Sequence, residues 1–342
     1  MKRVLVTGAG GYLGVPLCRK LLESGYSVIA LDRFFFGMDK LDAVKNDPNI
    51  TVLKEDIRYF DTGILKDVDA VIDLAGLSND ASAEIDVRLT SDINCRGATR
   101  LAEAAKANGV RRYVYSSSTS VYGAGSKEGL SEGDELRPQT EYARSKVATE
   151  KYLLGLEDKS FEPVLLRNAT IFGLAPRMRF DLAINIMTMR AWKERVIYMM
   201  GGGEQWRPFV HVEDVARAML LALESPAEKV TGEVFNVGSN EQNYKIRHLS
   251  QFVIDVIPNV KIHMIPDDPD KRTYNVNFDK IQNTLGYKTS VGIHEGIKEI
   301  LHALEKGIVE ADDPTTHTLQ WYKSLITWGQ RIQDLSYNGR II

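Results

Sequence analysis

Cysteine is scarce in this sequence. The 342 residues contain only two, Cys18 and Cys95, and neither belongs to a Cys-x-x-Cys pair. Such usage argues against a disulfide-based fold and is typical of a reducing compartment, where cysteine acts as a small apolar core residue. We therefore expect both cysteines to be buried, and the sequence predicts no metal site.

Long apolar runs, a signal peptide and an excess of positive charge are absent as well. No apolar run approaches the roughly 20 residues that a membrane-spanning helix needs, and the chain passes from its first two residues directly into a strand-like run. The formal net charge of −3 gives no general attraction to nucleic acid or to acidic lipid. We expect a cytoplasmic protein whose partners include neither nucleic acid nor a membrane.

The first half of the sequence shows a regular alternation of strand and helix patterns. Continuous apolar runs such as "RVLVTG", "SVIALD" and "AVIDLAG" are separated by helical segments. Strands of this kind are typical of a parallel sheet that helices cover on both faces. The predicted fold class is therefore α/β, with a doubly wound parallel (Rossmann) sheet. Long helices are expected at about 81–108 and 140–158.

The alternation breaks near residue 174, and 342 residues are many for one compact core. We therefore expect two lobes. The first comprises residues 1–174 and roughly 205–240, because "GEVFNVGS" is typical of one more strand of the large sheet. The second, a smaller mixed α/β lobe, comprises residues 175–204 and 241–342.

A glycine-rich turn follows the first strand. The segment "VTGAGGYLG" places Gly8, Gly11 and Gly14 between that strand and the first helix. Glycine lets the backbone approach a diphosphate closely, and the helix N-terminus offers free N–H groups with a partial positive charge. A glycine triplet alone often serves only for turning, but this one lies where a dinucleotide requires it. It predicts that the first lobe binds a dinucleotide.

Two acidic residues end the next strands of the predicted sheet. Asp32 ends "SVIALD", where a carboxylate accepts both hydroxyls of an adenosine ribose and repels a 2′-phosphate, which favours NAD over NADP. Arg33 is the neighbour that would instead accommodate that phosphate. Asp56, at the end of the third strand, is placed to meet the adenine edge. The alternatives are that Asp32 only opens a loop and that Asp56 is a solvated loop acid.

The segment "TEYARSKVATE" sets Tyr142 four residues before Lys146 in a helical pattern. Four steps of about 100° bring the two side chains to one face of the helix. With 14 tyrosines in the chain a Tyr-x-x-x-Lys pair is expected about once by chance, so the motif alone is weak. It occurs only here, however, in the helix that follows the strand carrying "SSS".

That strand brings a serine to the same place. Ser116, Ser117 and Ser118 lie at the carboxyl end of the fifth strand, where ligands of open α/β sheets bind. A serine hydroxyl there can hydrogen-bond a substrate hydroxyl while Tyr142 takes its proton. Because free tyrosine ionises near pH 10, it needs a cation such as Lys146 and the positive nicotinamide ring to favour the phenolate.

The sequence resembles the extended short-chain dehydrogenase/reductases, specifically the NAD-dependent nucleotide-sugar epimerase/dehydratase group that includes UDP-glucose 4-epimerase. The matching pieces reach to about residue 290 and are, in chain order, "TGAGGYLG", "LDR", "EDIR", "LAG", "SSSTSVYG", "YARSK", "RPFVHVEDVA" and "FNVG".

The resemblance implies a role for each matching position. The catalytic set would be Ser118, Tyr142 and Lys146, and Asn94 would buttress the site. The residues implied to contact NAD are Gly8, Gly11, Tyr12, Leu13, Gly14, Asp32, Asp56, Ile57, Leu74, Ala75, Gly76, Asn94, Tyr142 and Lys146.

The second lobe is implied to hold a nucleotide-diphosphate sugar. The resemblance assigns Asn185, Arg207 and Arg272 to its diphosphate and Ser118 to the sugar, and arginine offers the forked, permanently charged donors that suit a phosphate. His211, in "FVHVED", is expected to be a packed structural residue. Relatives pair through the two long helices, so a homodimer is implied.

The residues around "VYG" bear on the type of reaction. Family 4,6-dehydratases carry Asp-Glu there and sugar-acid decarboxylases carry a Glu, whereas this chain has Thr119 and Ser120, which cannot ionise. Elimination of water needs an acid/base pair and is therefore disfavoured. In "RNATIFG" the chain departs from the family pattern: Asn168 follows the arginine and Thr170 takes the place of the usual asparagine. This leaves the identity of the sugar open.

The expected reaction is oxidation at carbon 4 of a nucleotide sugar, and a 4-epimerase is the preferred interpretation. The first alternative is a nucleotide-sugar 4-dehydrogenase or 4-ketoreductase, and the next is a 4,6-dehydratase. A non-enzymatic alternative is a dinucleotide-binding redox sensor or assembly subunit, although such relatives usually lack the Tyr or the Lys.

Overall fold

The computed structural model describes residues 2–125, 127–267, 270 and 272–341. Its strands, in chain order, are β1 (Arg3–Thr7), β2 (Ser27–Asp32), β3 (Ile50–Lys54), β4 (Ala70–Asp73), β5 (Arg112–Ser118), β6 (Glu162–Asn168), β7 (Thr170–Phe172), β8 (Val196–Met200), β9 (Trp206–His211), β10 (Glu233–Val237), β11 (Asn243–Lys245) and β12 (Lys261–Ile265). Seven of them form one parallel sheet in the order β10-β6-β5-β4-β1-β2-β3. The predicted doubly wound α/β fold is confirmed.

Helices cover both faces of this sheet, and others belong to the smaller lobe. In chain order the helices are α1 (Gly14–Glu23), α2 (Asp80–Ala83), α3 (Val87–Thr90), α4 (Ala98–Ala107), α5 (Glu141–Gly155), α6 (Ala183–Glu194), α7 (Val212–Glu224), α8 (Ala227–Val230), α9 (Ile246–Val256), α10 (Asp279–Leu285), α11 (Ile293–Glu305) and α12 (Thr318–Leu335). Val4 and Val6 of β1 pack in one core with α1 and α7, while Leu5 packs in the other core with α4. Because successive strand residues face opposite cores, both must be apolar, which explains the continuous runs in the sequence.

The predicted continuous helix at 81–108 is wrong. The chain forms the short helices α2 and α3, then a π-helical turn at Ser91–Gly97, and only then α4. The break lies at Asp86, whose carboxylate accepts hydrogen bonds from the backbone N–H groups of Arg88 and Leu89 and so starts a new helix. The helix predicted at 140–158 runs as α5 and is capped by Thr140.

A smaller lobe lies beyond the carboxyl edge of the large sheet. It contains a three-stranded sheet in the order β11-β9-β7 and a parallel pair, β8 and β12. Its own core includes Ile184, Leu249 and Ile297, from α6, α9 and α11. β10 joins the large sheet as expected, but β7 and β9 belong to the smaller sheet, so the chain crosses between the lobes more often than the predicted limits state. The division into two lobes at those limits remains a proposal.

The two cysteines differ in burial. Cys18 is buried in α1, whereas Cys95 is only half-buried in the π-helical turn, and neither forms a disulfide. Cys95 is therefore less buried than we expected from the sequence, because the π-helical turn leaves part of its side chain at the surface. None of the helices in the described ranges is both long enough and apolar enough to cross a membrane.

Candidate active site

A cleft of about 670 Å³ lies at the carboxyl ends of β1, β2, β4 and β5, with the smaller lobe as its opposite wall. Ligands of open α/β sheets bind at this edge, and the volume is ordinary for a small-molecule site. Two of the predicted site residues, Asn94 and Asn185, do not line it. Those that do are Gly8, Gly11, Tyr12, Leu13, Gly14, Asp32, Asp56, Ile57, Leu74, Ala75, Gly76, Ser118, Tyr142, Lys146, Arg207 and Arg272.

The glycine turn is closed so tightly that larger residues do not fit. A Cβ atom on Gly14 would lie 2.2 Å from the carbonyl oxygen of Gly8, and a Cβ atom on Gly11 would lie 3.0 Å from the same oxygen. Gly8 itself has φ +67°, which favours glycine. The turn leads directly into α1, whose first residue, Gly14, lines the cleft. This cradle fits the diphosphate of a dinucleotide, which needs close backbone approach and free N–H groups.

Asp32 lies at the end of β2 and faces the same cleft. Its carboxylate accepts hydrogen bonds from the backbone N–H groups of Gly10, at 3.1 Å, and Phe34, at 2.6 Å. Burial raises the pKa of Asp32, whereas these two hydrogen bonds favour its charged form. Because a carboxylate has about four acceptor sites, Asp32 retains the capacity to accept the hydroxyls of a ribose. The residue is thus fixed by its loop and still available to a cofactor.

Asp56 is more than a solvated loop acid. It is buried and accepts hydrogen bonds from Arg58 at Nε, 2.9 Å away, and Nη2, 2.7 Å away. Arg33 is half-exposed, and its Nε lies 3.9 Å from an oxygen of Asp56. The neighbouring Ile57 packs closely against Gly97. A Cβ atom added to Gly97 would lie only 2.8 Å from Cδ1 of Ile57. This side of the cleft is therefore a rigid wall.

Tyr142 stands in the first turn of α5, directly beside the end of β5. Ser118 lines the cleft beside it, and the Ser118 hydroxyl accepts a hydrogen bond from the backbone N–H of Ser120 at 3.2 Å. Burial raises the pKa of Tyr142 to about 12, and the negative charge of Asp80 adds to this effect, while the nearby Ser118 hydroxyl opposes it. The phenol is therefore neutral until further positive charge approaches it.

Lys146 lies one helical turn from Tyr142 and points at the same strand. Its Nζ donates a hydrogen bond to the carbonyl oxygen of Ser116, 2.6 Å away, and lies 5.8 Å from the centre of the Tyr142 ring. It also lies 4.6 Å from the centre of the Tyr115 ring. Burial lowers the pKa of Lys146 to about 8, although the charge of Asp73 opposes this change. The four-residue spacing thus places beside the phenol an amine whose charge is sensitive to its surroundings.

A buried polar network supports this cluster from behind. Glu150, one turn further along α5, accepts hydrogen bonds from Ser117 and from Arg167, whose Nη2 is 2.7 Å away. The side chain of Glu150 is 4% exposed and that of Arg167 is 5% exposed. On the other side, Asp73 accepts a hydrogen bond of 2.6 Å from Thr7. The strand that carries the serines is therefore held in one position.

Asn94 acts through the loop that follows β4. Its Oδ1 accepts a hydrogen bond from the backbone N–H of Leu77, at 2.7 Å, and its Nδ2 donates to the carbonyl oxygen of Leu77, at 3.1 Å. The same oxygen lies close to Gly76: a Cβ atom added to Gly76 would lie 2.9 Å from Asn94 Oδ1. Asn94 is thus placed to buttress the 74–77 loop, and the structure does not place it in contact with the cleft.

Arg207 and Arg272 face each other on the smaller lobe and share one carboxylate. Arg207 Nη2 and Arg272 Nη2 lie 2.9 and 2.6 Å from the same oxygen of Asp270. Arg272 Nη1 also donates to Asp80, 2.6 Å away, at the start of α2. These ion pairs hold the two guanidinium groups side by side on the cleft wall, where their forked donors suit a diphosphate.

The structure places Asn185 behind the cleft wall, away from the direct substrate contact that the sequence predicts. Asn185 is completely buried, and its Oδ1 accepts a hydrogen bond from the Gly173 N–H at 3.1 Å. Its Nδ2 donates to Tyr12 Oη at 3.1 Å and to the carbonyl oxygen of Arg179 at 3.0 Å. Because protein groups use these polar atoms and the residue lies behind the cleft wall, Asn185 positions its neighbours instead.

The residues that bear on the type of reaction also lie at the cleft. Ser120, Asn168 and Thr170 line it, and the hydroxyl of Thr119 donates to the carbonyl oxygen of Asn168. Asn168 Nδ2 donates to Ser116 Oγ at 3.0 Å. The departure from the family pattern at Asn168 and Thr170 therefore falls on the surface that a sugar would touch.

His211 has the structural position that the sequence predicts. It is buried at the end of β9, its Nε2 lies 2.6 Å from Glu299, and its Nδ1 accepts the backbone N–H of Glu213 at the start of α7. It does not line the cleft.

Sequence reasoning missed part of the cleft wall. The segment "PRMRFD" supplies two buried arginines and an acid immediately after the smaller sheet begins, and their clustering was the available signal. Tyr322 comes from α12, and nothing in its local sequence marks it. The missed cleft residues include Arg177, Arg179, Asp181, Tyr274 and Tyr322. Within the described residues there is no group of three or more His, Cys, Asp or Glu side chains that could hold a metal ion.

Comparison with known proteins agrees with this geometry. Residues 4–238 match the model of the NAD dependent epimerase/dehydratase family. The chain is similar to the UDP-glucose 4-epimerase of Mycolicibacterium smegmatis, with 30% identity over 86% of this chain and 96% of the relative. It is also similar to the dTDP-D-glucose 4,6-dehydratase of Mus musculus, with 26% identity over 89% of both chains.

Among solved structures, the chain is similar to MoeE5. In its complex with UDP-glucose and NAD the identity is 26% and the TM-score is 0.78, over 90% of this chain and 100% of MoeE5. In its complex with UDP-glucuronic acid and NAD the identity is 25% and the TM-score is 0.79, over 89% of this chain and 99% of MoeE5.

Proposed function

The chain belongs to the NAD dependent epimerase/dehydratase family, and from that membership we propose that it is a nucleotide-sugar 4-epimerase. It is an enzyme whose cofactor is NAD, as the sequence predicts. Its relatives act on nucleotide sugars by more than one reaction, so the specific activity must be argued from the site. The proposal of a sensor or assembly subunit is set aside.

The arrangement of Tyr142, Ser118 and Lys146 carries the proposal. The hydroxyl at carbon 4 of the sugar would donate its proton to the Tyr142 phenolate, and Ser118 would hold that hydroxyl in line. The ammonium of Lys146 favours the phenolate electrostatically, because it lies one helical turn away and is fixed to Ser116. The same phenol would then return the proton to the carbon 4 oxygen at the end of the cycle.

NAD would bind between the glycine turn and the loop after β4. Gly8, Gly11 and Gly14 would hold its diphosphate and Asp32 its adenosine ribose, because the first offer close backbone approach and the second offers acceptor oxygens. When bound there, NAD supplies a hydride acceptor and, in its reduced form, a hydride donor.

Two hydroxyl side chains favour epimerisation over elimination of water. Thr119 and Ser120 follow the catalytic strand where an eliminating enzyme would need an acid and a base, and neither side chain can ionise. Asp80 is a cleft carboxylate whose charge reaches Tyr142, but hydrogen bonds from Thr140 and Arg272 engage both of its oxygens. It is therefore poorly placed to remove a proton from the sugar.

The smaller lobe would hold the nucleotide diphosphate. Arg207 and Arg272 present two guanidinium groups on the cleft wall, held in position by Asp270. A 4-epimerase must hold this diphosphate firmly while the sugar turns its opposite face to the cofactor, and a cleft of about 670 Å³ leaves room for that rotation. By likeness to MoeE5, we propose a UDP-hexose or UDP-hexuronate as the substrate.

Product analysis in deuterated water tests the proposal. Purified protein would be incubated separately with UDP-glucose, UDP-galactose and UDP-glucuronate, with and without added NAD, and the products identified by proton NMR. A 4-epimerase should convert one of these to its carbon 4 epimer without consuming NAD and without incorporating deuterium into the sugar. Tyr142→Phe should abolish the conversion.

The alternatives give different products in the same experiment. A 4,6-dehydratase, the activity of the mouse relative, would form a 4-keto-6-deoxy sugar carrying solvent deuterium at carbon 5. A 4-dehydrogenase would accumulate NADH together with a 4-keto sugar. Either result would contradict epimerisation while leaving the NAD-dependent chemistry of Tyr142 intact. The cytoplasmic location and the homodimer remain predictions.

A further inference from the structure

Arg177 is a buried cation at the cleft that forms no direct ion pair with a carboxylate in the described part of the chain. The residue is 2% exposed, and among the described residues no Asp or Glu lies within ion-pair distance of its guanidinium. Its Nη2 donates to the hydroxyl of Thr318 at 2.8 Å, while its Nε is buried without a hydrogen-bond partner. Carboxylates act on its charge only from beyond ion-pair distance, those of Asp32 and Asp181 among them, and a buried cation that keeps an unused donor is suited to bind an anion.

The cleft arginines Arg179 and Arg272, unlike Arg177, form direct ion pairs with carboxylates. Arg179 forms a two-pronged ion pair with Asp181, and Arg272 does the same with Asp270. Those guanidinium groups are neutralised by the protein itself. Arg177 is instead held flat against the ring of Phe36, with its central carbon 3.7 Å from the ring centre, a contact that supplies no negative charge.

The surroundings of Arg177 place it on the side of the cleft assigned to NAD. Phe36 belongs to the loop that begins at Asp32, the residue proposed to hold the adenosine ribose. Arg177 lines the same cleft as Asp32 and as Tyr12 of the glycine turn, and its charge opposes the rise that burial causes in the pKa of Asp32. Arg177 therefore lies on the side of the cleft that the Asp32 loop and the glycine turn form.

The first turns of α12 hold this arrangement together. Thr318 is 1% exposed and receives the hydrogen bond from Arg177. One turn later, the ring of Tyr322 packs on Phe36, with 5.4 Å between the ring centres, and on Phe35, with 6.0 Å. Trp321 Nε1 donates to the carbonyl oxygen of Phe35 at 2.6 Å. The start of α12 is thus bound to the loop after β2, whereas the helix is exposed from Ile326 onward.

We propose that Arg177 is the cation that binds the diphosphate of NAD, and that Thr318 and Tyr322 of α12 position it and close the cofactor end of the cleft. This inference rests on the placement of NAD given above. A guanidinium is suited to the role, because it offers several donors in a fixed plane to phosphate oxygens. An α12 packed against this end would also slow the release of the cofactor, which an epimerase that reuses its NAD requires.

Binding measurements on the full chain, without any sugar nucleotide, test the role of Arg177. Arg177→Gln should weaken NADH binding, followed by nicotinamide fluorescence, by about tenfold to a hundredfold, the effect of losing a charged hydrogen bond. Arg100→Gln is the matched control: Arg100 does not line the cleft, its guanidinium likewise lies over an aromatic ring, that of Phe60, and its loss should leave NADH binding unchanged within twofold. Arg177→Lys, which keeps the charge, should recover most of the lost affinity.

Three results would overturn the proposal. The first is an Arg177→Gln variant that binds NADH as tightly as the parent. The second is loss of UDP binding with NADH binding unchanged, which would assign Arg177 to the substrate diphosphate. The third is an Arg177→Lys variant no better than Arg177→Gln. Because no sugar nucleotide is present in the NADH titration, a failure of the proposed epimerase activity would not affect this outcome.

The role of α12 in closing the cofactor end of the cleft is tested by the rate of NADH dissociation. Tyr322→Ala should increase the rate of NADH dissociation, measured by stopped-flow fluorescence, by about tenfold while UDP affinity stays within twofold of the parent. Tyr322→Phe keeps the ring contacts with Phe35 and Phe36 and should restore the slow dissociation. Equal loss of NADH and UDP binding in Tyr322→Ala, or an unchanged dissociation rate, would contradict the role of the helix.

Discussion

Lys146 donates a hydrogen bond from Nζ to the backbone carbonyl oxygen of Ser116, 2.6 Å away. This contact ties α5 to the end of β5, so that the cation is fixed relative to the strand that carries Ser118. The ring centre of Tyr142 lies 5.8 Å from Nζ, and the hydroxyl of Ser118 is close enough to the phenol to oppose the rise in its pKa. The electrostatic effect of the lysine on the tyrosine is therefore built into the packing of one helix on one strand.

The first prediction concerns the pH dependence of activity. Burial lowers the pKa of Lys146 to about 8 and raises that of Tyr142 to about 12, so the pair loses its first proton near pH 8, mainly from the lysine. The phenolate–ammonium form is the other form of the pair with one proton removed, and the positive nicotinamide ring would favour it and shift this loss to lower pH. We therefore expect kcat/KM to rise with pH to a plateau reached at or below about pH 8.

A profile of kcat/KM from pH 5 to pH 10 checks this. Lys146→Met should shift the rising limb to higher pH by leaving Tyr142 without its cation, in addition to lowering the rate at pH 7. A wild-type profile that is flat across the range, or a rising limb centred above pH 9, would show that the pair does not titrate as the packing indicates.

The second prediction concerns Tyr142 itself. Tyr142→Phe removes the proton acceptor and should lower kcat by about 10²- to 10⁴-fold, the usual contribution of a general base, with NADH affinity unchanged within twofold. Tyr152→Phe is the control on the same helix, since Tyr152 is exposed and bonded to Glu103. Substantial activity in Tyr142→Phe would transfer the proton step to another group.

The third prediction concerns the choice of cofactor. Asp32 offers its carboxylate to the cleft while the N–H groups of Gly10 and Phe34 fix its position. Asp32→Asn should weaken NADH binding by roughly tenfold. It should also reduce the ratio of NADH affinity to NADPH affinity, because the negative charge that repels a 2′-phosphate is lost. Fluorescence titrations with both dinucleotides measure this, and Asp42→Asn, at an exposed position, is the control. An unchanged ratio of the two affinities would argue that another residue sets the preference.

The fourth prediction concerns the buried ion pair of Glu150 and Arg167. Both side chains are nearly inaccessible to water, so Glu150→Gln leaves the arginine charge uncompensated and should lower the free energy of unfolding by about 3–5 kcal/mol. Asp92→Asn breaks the exposed pair with Arg96 and should change it by less than about 1 kcal/mol. Urea unfolding compares the two. Similar small losses in both variants would mean that the buried pair is not essential to stability.

The fifth prediction concerns the glycine turn. Gly14→Ala would place a Cβ atom 2.2 Å from the Gly8 carbonyl oxygen, so we expect a loss of about 3 kcal/mol in stability, as for severe overpacking, and loss of NADH binding. Gly155, at the end of α5, has no atom within 4 Å of the position that a Cβ atom would take, and Gly155→Ala should stabilise the protein by about 0.5–1 kcal/mol. Thermal melting measures the change in stability, and NADH titration measures the change in cofactor affinity. Retained NADH binding in Gly14→Ala would show that the turn tolerates opening.

Much of the fold could be predicted because its information is local. Each strand of the large sheet is buried on both faces, so its apolar run is readable without knowledge of its neighbours. The glycine turn and the Tyr142–Lys146 spacing are likewise set within a few residues, by backbone sterics and helical geometry. The break in the helix predicted at 81–108 was missed because a single carboxylate, Asp86, caps a new start inside an otherwise helical pattern.

The sequence by itself determined the doubly wound sheet, the dinucleotide turn and the pair of Tyr142 and Lys146, because each depends on residues that are neighbours in the chain. Only the tertiary structure decided that Asn185 lies behind the cleft wall and that Arg177 hydrogen-bonds Thr318 while packing on Phe36, as Tyr322 also does. Those relationships join segments far apart in sequence. They depend on how whole elements pack against one another, and no local pattern records that packing.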